Sequence, residues 1–297
     1  MAAVFTHPAC VRHDPGPGHP ETPARLATLL ARLASTSGIA LHEATPADVN
    51  ILETVHPREY LTALEAQIAR GGGPLSEDTV TNAASWDAVL GAVGALNAGI
   101  DHARAGRGHA FAAVRPPGHH ALASTAMGFC LVNHVVVGAR YALAGGAKRV
   151  LIIDWDVHHG NGTQALVEHD PAIRYVSLHQ HPWYPGTGLE HERGVGNVFN
   201  VPRGPGRVPG FYVEALWEAI VAATTGWQPD LVLLSAGFDA MLGDPLGGFT
   251  LEPEHYAEWT RRLRERLNDR TIVGLLEGGY IPARLAAGVV AHLGALD

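Results

Sequence analysis

Residues 150 to 162 read VLIIDWDVHHGNG. Val150 to Ile153 are all apolar and mostly β-branched, and they run directly into two acids and two histidines. A continuous apolar run, as opposed to an alternating one, indicates a strand buried on both faces, as in a parallel sheet covered by helices. Its polar end then needs explaining, because a carboxylate or imidazole taken out of water costs free energy unless something pairs with it. A metal ion is one answer. The other is a strand-end acid that caps the next helix beside a half-buried histidine.

Runs of the same kind occur at 110–114, 174–178, 231–234 and 272–276. Helical periodicity separates them, over 23–33, 86–103, 131–144, 211–223, 253–267 and 282–293. Thr22 reads as the N-cap of the first of these helices, with Pro23 at its first position. Strands alternating with helices predict an α/β protein, a single domain over 1–297 with a central, mostly parallel sheet and helices on both faces. Neither an internal repeat nor a low-complexity linker is present, and Gly71-Gly72-Gly73-Pro74 reads as a loop.

The residues just past each strand are more informative than the strands. After 110–114 comes RPPGHH, after 150–153 the DWDVHH stretch, after 231–234 SAGFD, and after 272–276 EGGY. Ligands of open α/β sheets bind beyond the carboxyl ends of strands, so these four loops should meet at one site. Residues two apart in an extended segment project to the same side. Asp156 and His158 can therefore share one metal, with Asp154 starting the alternation deeper, and Asp239 can supply a third ligand. Two carboxylates and one imidazole leave a position open for water, the pattern of a catalytic metal site.

Bulk properties exclude several function classes. Apolar residues make up 46% of the 297 and charged residues only 17%, a balance that supports a sizeable core and argues against disorder. The net charge of −8 speaks against a general nucleic-acid binder. The basic stretch from Arg261 to Arg266 has apolar or acidic residues interleaved and reads as the solvated face of a helix. Cys10 and Cys130 are the only cysteines, too few for a disulfide framework or a CxxC site. The start lacks the form of a signal peptide, and no apolar run approaches the ~20 residues of a membrane helix. These features lead to the expectation of a cytoplasmic protein that touches neither membrane nor nucleic acid.

RPPGHHA (115–121), GFCLVNHV (128–135), DWDVHHGNGTQ (154–164), VSLHQHPWYPGTG (176–188), SAGFDAMLGDPLGG (235–248) and LEGGY (276–280) together resemble the zinc-dependent histone deacetylase family. The likeness is greatest to its class II and bacterial histone deacetylase-like amidohydrolase branch, within the wider acetylpolyamine amidohydrolase superfamily. HDPGPGHPETPARL (13–26) fits the same family. The resemblance implies the arginase/deacetylase-like fold and a deacetylase in which a zinc-activated water attacks an amide carbonyl.

It also implies roles. Asp156, His158 and Asp239 would hold one zinc ion, with His119 and His120 as the acid–base pair. Asp154 would contact His119 and Asn161 would contact His120. A carboxylate partner favours the imidazolium and an amide partner the neutral ring, so His120 is expected to take the proton from water while His119 lends electrostatic support. Tyr280 would donate to the oxyanion. Phe129 and Tyr184 would wall a narrow tunnel and Gly128 would offer its carbonyl. Such a slot suits four methylenes, each contributing roughly 0.8 kcal/mol on burial. Trp183 would either join the wall or pack behind it. Asp78 would either hydrogen-bond a peptide backbone at the rim or cap a helix. Leu246 stands where polyamine-preferring relatives have glutamate, which favours acyl-lysine.

A structural K⁺ or Na⁺ would bind Asp154, Ser177 and main-chain oxygens of Asp156, His158 and Leu178. A second such ion would lie around Val167, Asp170 and Ile173. Arg25 would line an acetate exit channel or form an ordinary helix ion pair. The expected substrate is an acylated lysine of a peptide or protein, with longer acyl groups accepted beside acetyl. The competing readings are an acetylated polyamine or other small amide, a non-catalytic acyl-ligand binder, and a binuclear manganese ureohydrolase. The last would need more carboxylates than the stretch after Asp239 offers. A homo-oligomer is left open.

Overall fold

The computed structural model describes residues 2–268 and 270–296. Eight strands form one sheet: β1 (Ala3–Thr6), β2 (Ala40–Glu43), β5 (Ala110–Ala112), β6 (Val150–Asp154), β7 (Ile173–Gln180), β8 (Val198–Arg203), β9 (Leu231–Ala236) and β10 (Ile272–Leu276). Their spatial order is β2-β1-β5-β10-β9-β6-β7-β8, and every neighbouring pair is parallel. The strands that carry the four loops are therefore consecutive in the sheet, β5-β10-β9-β6, although in the chain β7 and β8 separate β5 and β6 from β9 and β10. Every residue of these four strands is buried. Since successive side chains point to opposite faces, both faces are covered.

The covering helices are α1 (Ala9–Arg12), α2 (Pro23–Ala34), α3 (Arg58–Ala69), α4 (Ser85–Arg104), α5 (His134–Ala144), α6 (Asn161–Val167), α7 (Pro209–Thr224), α8 (Pro253–Arg266) and α9 (Pro282–Ala295). α4 packs on α5, while α7, α8, α9 and α2 pack in succession. A second, smaller apolar cluster joins Leu52, Leu61, Leu64 and Ile68 to Trp86, Leu131 and Val132. It anchors the long loop between β5 and α5, from which the site takes several of its groups. No helix of the described residues is long and apolar enough to cross a membrane.

The structure departs from the sequence expectation in instructive places. α5 begins at His134, not at 131, because the Asn133 side chain accepts from Val136 N at 3.1 Å and caps it there. Leu131 and Val132 go into the second cluster instead. Thr22 does precede α2, but its hydroxyl makes no capping bond. Gly72–Pro74, expected as loop, is strand β3, paired antiparallel with β4 (Val80–Asn82). There Gly72 has φ +84°, and a Cβ on it would lie 2.4 Å from Thr81 O, so only glycine permits the pairing. Strands β1, β2 and β8 carry little sequence signal. β2 is exposed throughout, and β8 contains Pro202, tolerated because β8 is an edge strand with one neighbour.

His13, His134, His179 and His292 are buried. Burial pushes their pKa values down to about 4, 4, 3 and 3 respectively. The folded state thus keeps them neutral where the unfolded chain, near 6.5, binds protons. Stability must fall as pH drops from about 6.5 towards 4. His159, lowered to about 4 by burial, adds a fifth such histidine, while Glu277 and Asp239 oppose the trend by one proton each, since burial raises both to about 7. The remaining uptake, roughly three protons, gives a slope of up to about 4 kcal/mol per pH unit. Guanidinium unfolding midpoints should fall steadily from pH 7 to pH 5, and a flat profile contradicts this account.

Candidate active site

The end of β6 turns its polar residues inward. Asp154 and Asp156 are buried, and His158 follows them onto the floor of a pocket. His158 Nδ1 lies 3.0 Å from Asp156 Oδ1 and 3.3 Å from Asp239 Oδ2. One ligand atom from each of the three falls within 4.8 Å of the others, and all three residues are buried. Backbone N–H groups aim the carboxylates: Gly278 N donates to Asp156 Oδ2 at 2.8 Å and Val157 N to Asp239 Oδ1 at 2.8 Å. Gly278 can do so only without a side chain, because a Cβ would stand 2.0 Å from Asp239 Oδ2. That Asp239 oxygen is buried, and among the described residues no group donates a hydrogen bond to it, the nearby His158 Nδ1 being engaged with Asp156.

The proton balance of this cluster points to a cation. Although burial opposes its charge, the two carboxylates lift His158 to about 10. Burial, and then Asp156, raise Asp239 to about 7. On its own the cluster offsets its negative charge by holding protons, the ones a metal displaces when it binds. The donor set and the unpartnered oxygen fit a single divalent metal.

Beside this cluster stand two histidines with ring centroids 4.0 Å apart. His119 Nδ1 is 3.0 Å from Asp154 Oδ2, which also accepts from Tyr175 OH at 2.9 Å. His120 Nδ1 is 2.8 Å from Asn161 Oδ1, at the start of α6. The amide's own nitrogen turns to Met127 Sδ at 3.4 Å, so Asn161 acts as acceptor and His120 Nδ1 carries the proton. In that tautomer His120 Nε2 is the unprotonated, basic nitrogen. Burial disfavours charge on both rings, but Asp154, Asp156 and Glu277 overcome it at His119 and hold its pKa well above the usual value. At His120 burial, and then the neighbouring His119, push it well below. The two rings thus differ in charge at neutral pH.

Above the floor is a cavity of about 220 Å³. Phe129, Tyr184, Trp183 and Leu246 form its sides; His120, His158, Tyr280, Gly128 and Asp78 complete it. Phe129 sits at φ +69°, an uncommon backbone for an aromatic residue, held by Thr79 Oγ1, which accepts from Phe129 N at 3.0 Å. Asp78 Oδ1 accepts from Gly128 N, Ser76 Oγ and Thr79 Oγ1. It belongs to the turn between β3 and β4, so its helix-capping alternative is excluded. Trp183 lines the cavity and donates its indole N–H to Leu246 O at 2.8 Å, bridging two loops of the rim. Tyr280 N donates to Asp244 Oδ2 at 2.7 Å, and its hydroxyl is kept protonated by burial, which raises it well above 10 against the pull of Arg25.

Arg25 lies at the back of this wall. The expected helix ion pair, with Glu21 at 2.6 Å, exists but is buried, and the same guanidinium donates to the carbonyls of Gly279 and Glu277 at 2.6 Å each. Asp154 and Ser177 are register partners on β6 and β7, and Ser177 Oγ is 2.9 Å from His179 Nδ1. The carbonyls expected around a second cation instead converge on the side chain of Asn197.

Sequence reading does not single out Glu277, Tyr175 or Asp244. Glu277 accepts from Gly118 N at 2.7 Å, His119 N at 3.3 Å and Ser235 Oγ at 3.0 Å, fixing the histidine loop to β9 and β10. A signal for it exists, as an acid placed directly after a continuous apolar strand. Tyr175 has none, since a tyrosine inside a strand reads as core.

A family model, the histone deacetylase domain, matches residues 19–296. The chain belongs to the histone deacetylase family. It is 43% identical over 301 residues to an uncharacterized protein of Synechocystis sp., covering 99% of this chain and 98% of that one. To the histone deacetylase-like amidohydrolase of Pseudomonas aeruginosa it is 34% identical over 311 residues, covering 95% and 82%. To histone deacetylase 15 of Arabidopsis thaliana it is 39% identical over 92% of this chain but only 52% of the relative. The crystal structure of the HDA15 HD domain superposes with a TM-score of 0.94 at 36% identity, covering 99% of this chain and 90% of that one. The protein is accordingly a hydrolase of the deacetylase and amidohydrolase type with this family's α/β fold.

If Asp156, His158 and Asp239 hold one divalent ion, Asp239→Ala should weaken zinc binding by more than the 10–100-fold typical of losing a supporting partner. Competition with a chromophoric chelator measures this. Equal affinity in the variant and the wild type would remove Asp239 from the ligand set.

Proposed function

We propose that this protein removes acetyl groups from the side-chain amine of lysine, with zinc held by Asp156, His158 and Asp239. Zinc at that position would supply Lewis acidity, polarising an amide carbonyl and making water a better nucleophile at neutral pH. The observation that carries the reading is the unequal histidine pair beside the ligand cluster, at the floor of a narrow apolar slot. A binding module needs no basic nitrogen there, and a hydrolase does.

The residues divide the work. His120, neutral and with Nε2 unprotonated, takes the proton from water as the new C–O bond forms. His119, held charged by Asp154, would offset the negative charge that develops on the carbonyl oxygen. Tyr280 donates its hydroxyl proton in a hydrogen bond to the oxyanion. Collapse breaks the C–N bond, and the amine leaves with a proton returned by the histidine pair. Acetate and free amine are the products.

The slot selects the substrate. Phe129 and Tyr184 flank a straight methylene chain, and Asp78 at the mouth can accept from a peptide N–H. Leu246 offers no charge to a distant ammonium. The same Asp78 carboxylate is the one feature that favours the second reading, an acetylated polyamine or other small cationic amide. Longer acyl groups on lysine belong to the first reading and are tested with an acyl-chain series. Among the described residues the three-ligand cluster is the one group with metal-binding spacing, which leaves a binuclear reading without a second set.

Two experiments test the proposal. Zinc-loaded protein should turn over an acetyl-lysine peptide with much higher kcat/KM than an acetylated polyamine, and Tyr280→Phe should lower kcat about 10²–10³-fold with little change in KM. Preference for the polyamine would overturn the substrate assignment, and unchanged kcat would overturn the role of Tyr280.

Asn161→Asp tests the base. A carboxylate next to His120 Nδ1 favours the imidazolium and raises its pKa by about 1–3 units. Activity needs His120 neutral, so it is lost as pH falls through that pKa, and the acid limb of kcat/KM should move to higher pH in the variant. An acid limb that stays in place would mean that another group is the base.

A further inference from the structure

The carbonyl oxygens of Val167, Asp170 and Ile173 point at a single atom, Nδ2 of Asn197, at 2.8, 3.0 and 2.9 Å. An amide nitrogen has two protons, so three acceptors at this range are one more than it can serve. Converging backbone carbonyls are what a protein presents to an alkali or alkaline-earth cation. These are the carbonyls at which the family resemblance leads one to expect a second monovalent ion.

We infer that the Asn197 carboxamide has taken the place of that ion, so that this chain binds one structural monovalent cation where the resemblance implies two. Asn197 is buried, and its other amide atom, Oδ1, accepts from Val195 N at 3.2 Å. That bond fixes which end of the amide faces inward: the oxygen turned towards three carbonyls would be repelled by all of them. The backbone of Asn197 is held as well, with its N–H donating to Arg193 O and its carbonyl accepting from Tyr175 N. Close packing supports the arrangement, since a Cβ on Gly194 would lie 2.6 Å from Asn197 Oδ1.

The position has mechanical consequences. Residues 167–173 form the turn from α6, which carries Asn161 to His120, into β7, which carries Tyr175 to Asp154. Val167 is the last residue of α6, and its carbonyl is one of those a helix end leaves without an intrahelical donor. A cation at such a turn ties it only at sufficient ion concentration. A covalently attached amide ties it in any salt.

The test is crystallographic, with a thermal readout beside it. Crystals of the wild-type protein soaked in a thallium(I) salt, whose ion mimics K⁺ and scatters anomalously, should show no anomalous peak between the Val167, Asp170 and Ile173 carbonyls. Asn197→Ala should gain a peak there, and its melting temperature should rise more in KCl than the wild type's does, against tetramethylammonium chloride at equal ionic strength. A thallium peak among those carbonyls in the wild type, with the amide displaced, overturns the inference. So does a folded variant with neither the peak nor the added K⁺ dependence. If the variant does not fold, the wild-type crystals decide alone.

Discussion

Everything at this site stems from placing carboxylates at the carboxyl ends of adjacent parallel strands with no water to solvate them. Asp154, Asp156, Asp239 and Glu277 are all buried. Each would be pushed towards its neutral form by burial alone. The fold answers by surrounding them with donors: backbone N–H groups from the loops after β5, β6 and β10, the hydroxyls of Tyr175 and Ser235, and two histidines. The donors satisfy every one of these groups except one oxygen of Asp239. A buried charge left unpaired is costly, and such a group invites the cation that completes the set.

The same constraint dictates local sequence. Carboxylates can be brought this close to a neighbouring loop only if that loop is bare. Gly237 and Gly278 are where Asp156 and Asp239 lean against the backbone, and a side chain at either would meet a carboxylate oxygen at 2.2 or 2.0 Å. The histidine pair depends on the same crowding. His119 owes its charge to Asp154, Asp156 and Glu277, and His120 is kept neutral by burial and by that charged neighbour. One ring's charge sets the other's availability as a base, so the two cannot be tuned separately.

Much of this is legible in the chain because chemistry concentrated at strand ends leaves a mark. The runs at 110–114, 150–153, 231–234 and 272–276 are apolar throughout and stop abruptly at polar residues, a pattern that only a doubly covered parallel sheet makes sensible. That these four strands are neighbours is not readable, since it depends on β9 and β10 returning to fill the space between β5 and β6. Edge elements are lost for the opposite reason: β2 is exposed and β8 is half-buried and carries a proline, and their pairing is supplied by the rest of the sheet. The pairings of His119 with Asp154 and His120 with Asn161 come from the family likeness, and the distances agree with them. The Asn197 amide could not be foreseen, because side-chain capture of three carbonyls has no sequence signature.

The positive charge beneath Tyr280 shows how far the fold goes to hold this geometry. Glu21 is fully buried between two arginines, 2.6 Å from Arg25 and 2.5 Å from Arg115. Arg115 uses all five of its N–H groups, on both carboxylate oxygens of Glu21 and on the carbonyls of Cys10, His13 and Glu21. Such an arrangement is a poor source of net stability, because desolvation offsets most of the attraction. Its geometry, however, is specific. Arg115 opens the histidine loop, and Arg25 grips the carbonyls on either side of Gly278 while its guanidinium lies 4.8 Å over the Tyr280 ring. One buried glutamate from the N-terminal segment therefore fixes both the loop that bears the base and the loop that bears the oxyanion donor. Two groups that must act on the same carbonyl are thereby held against a common support.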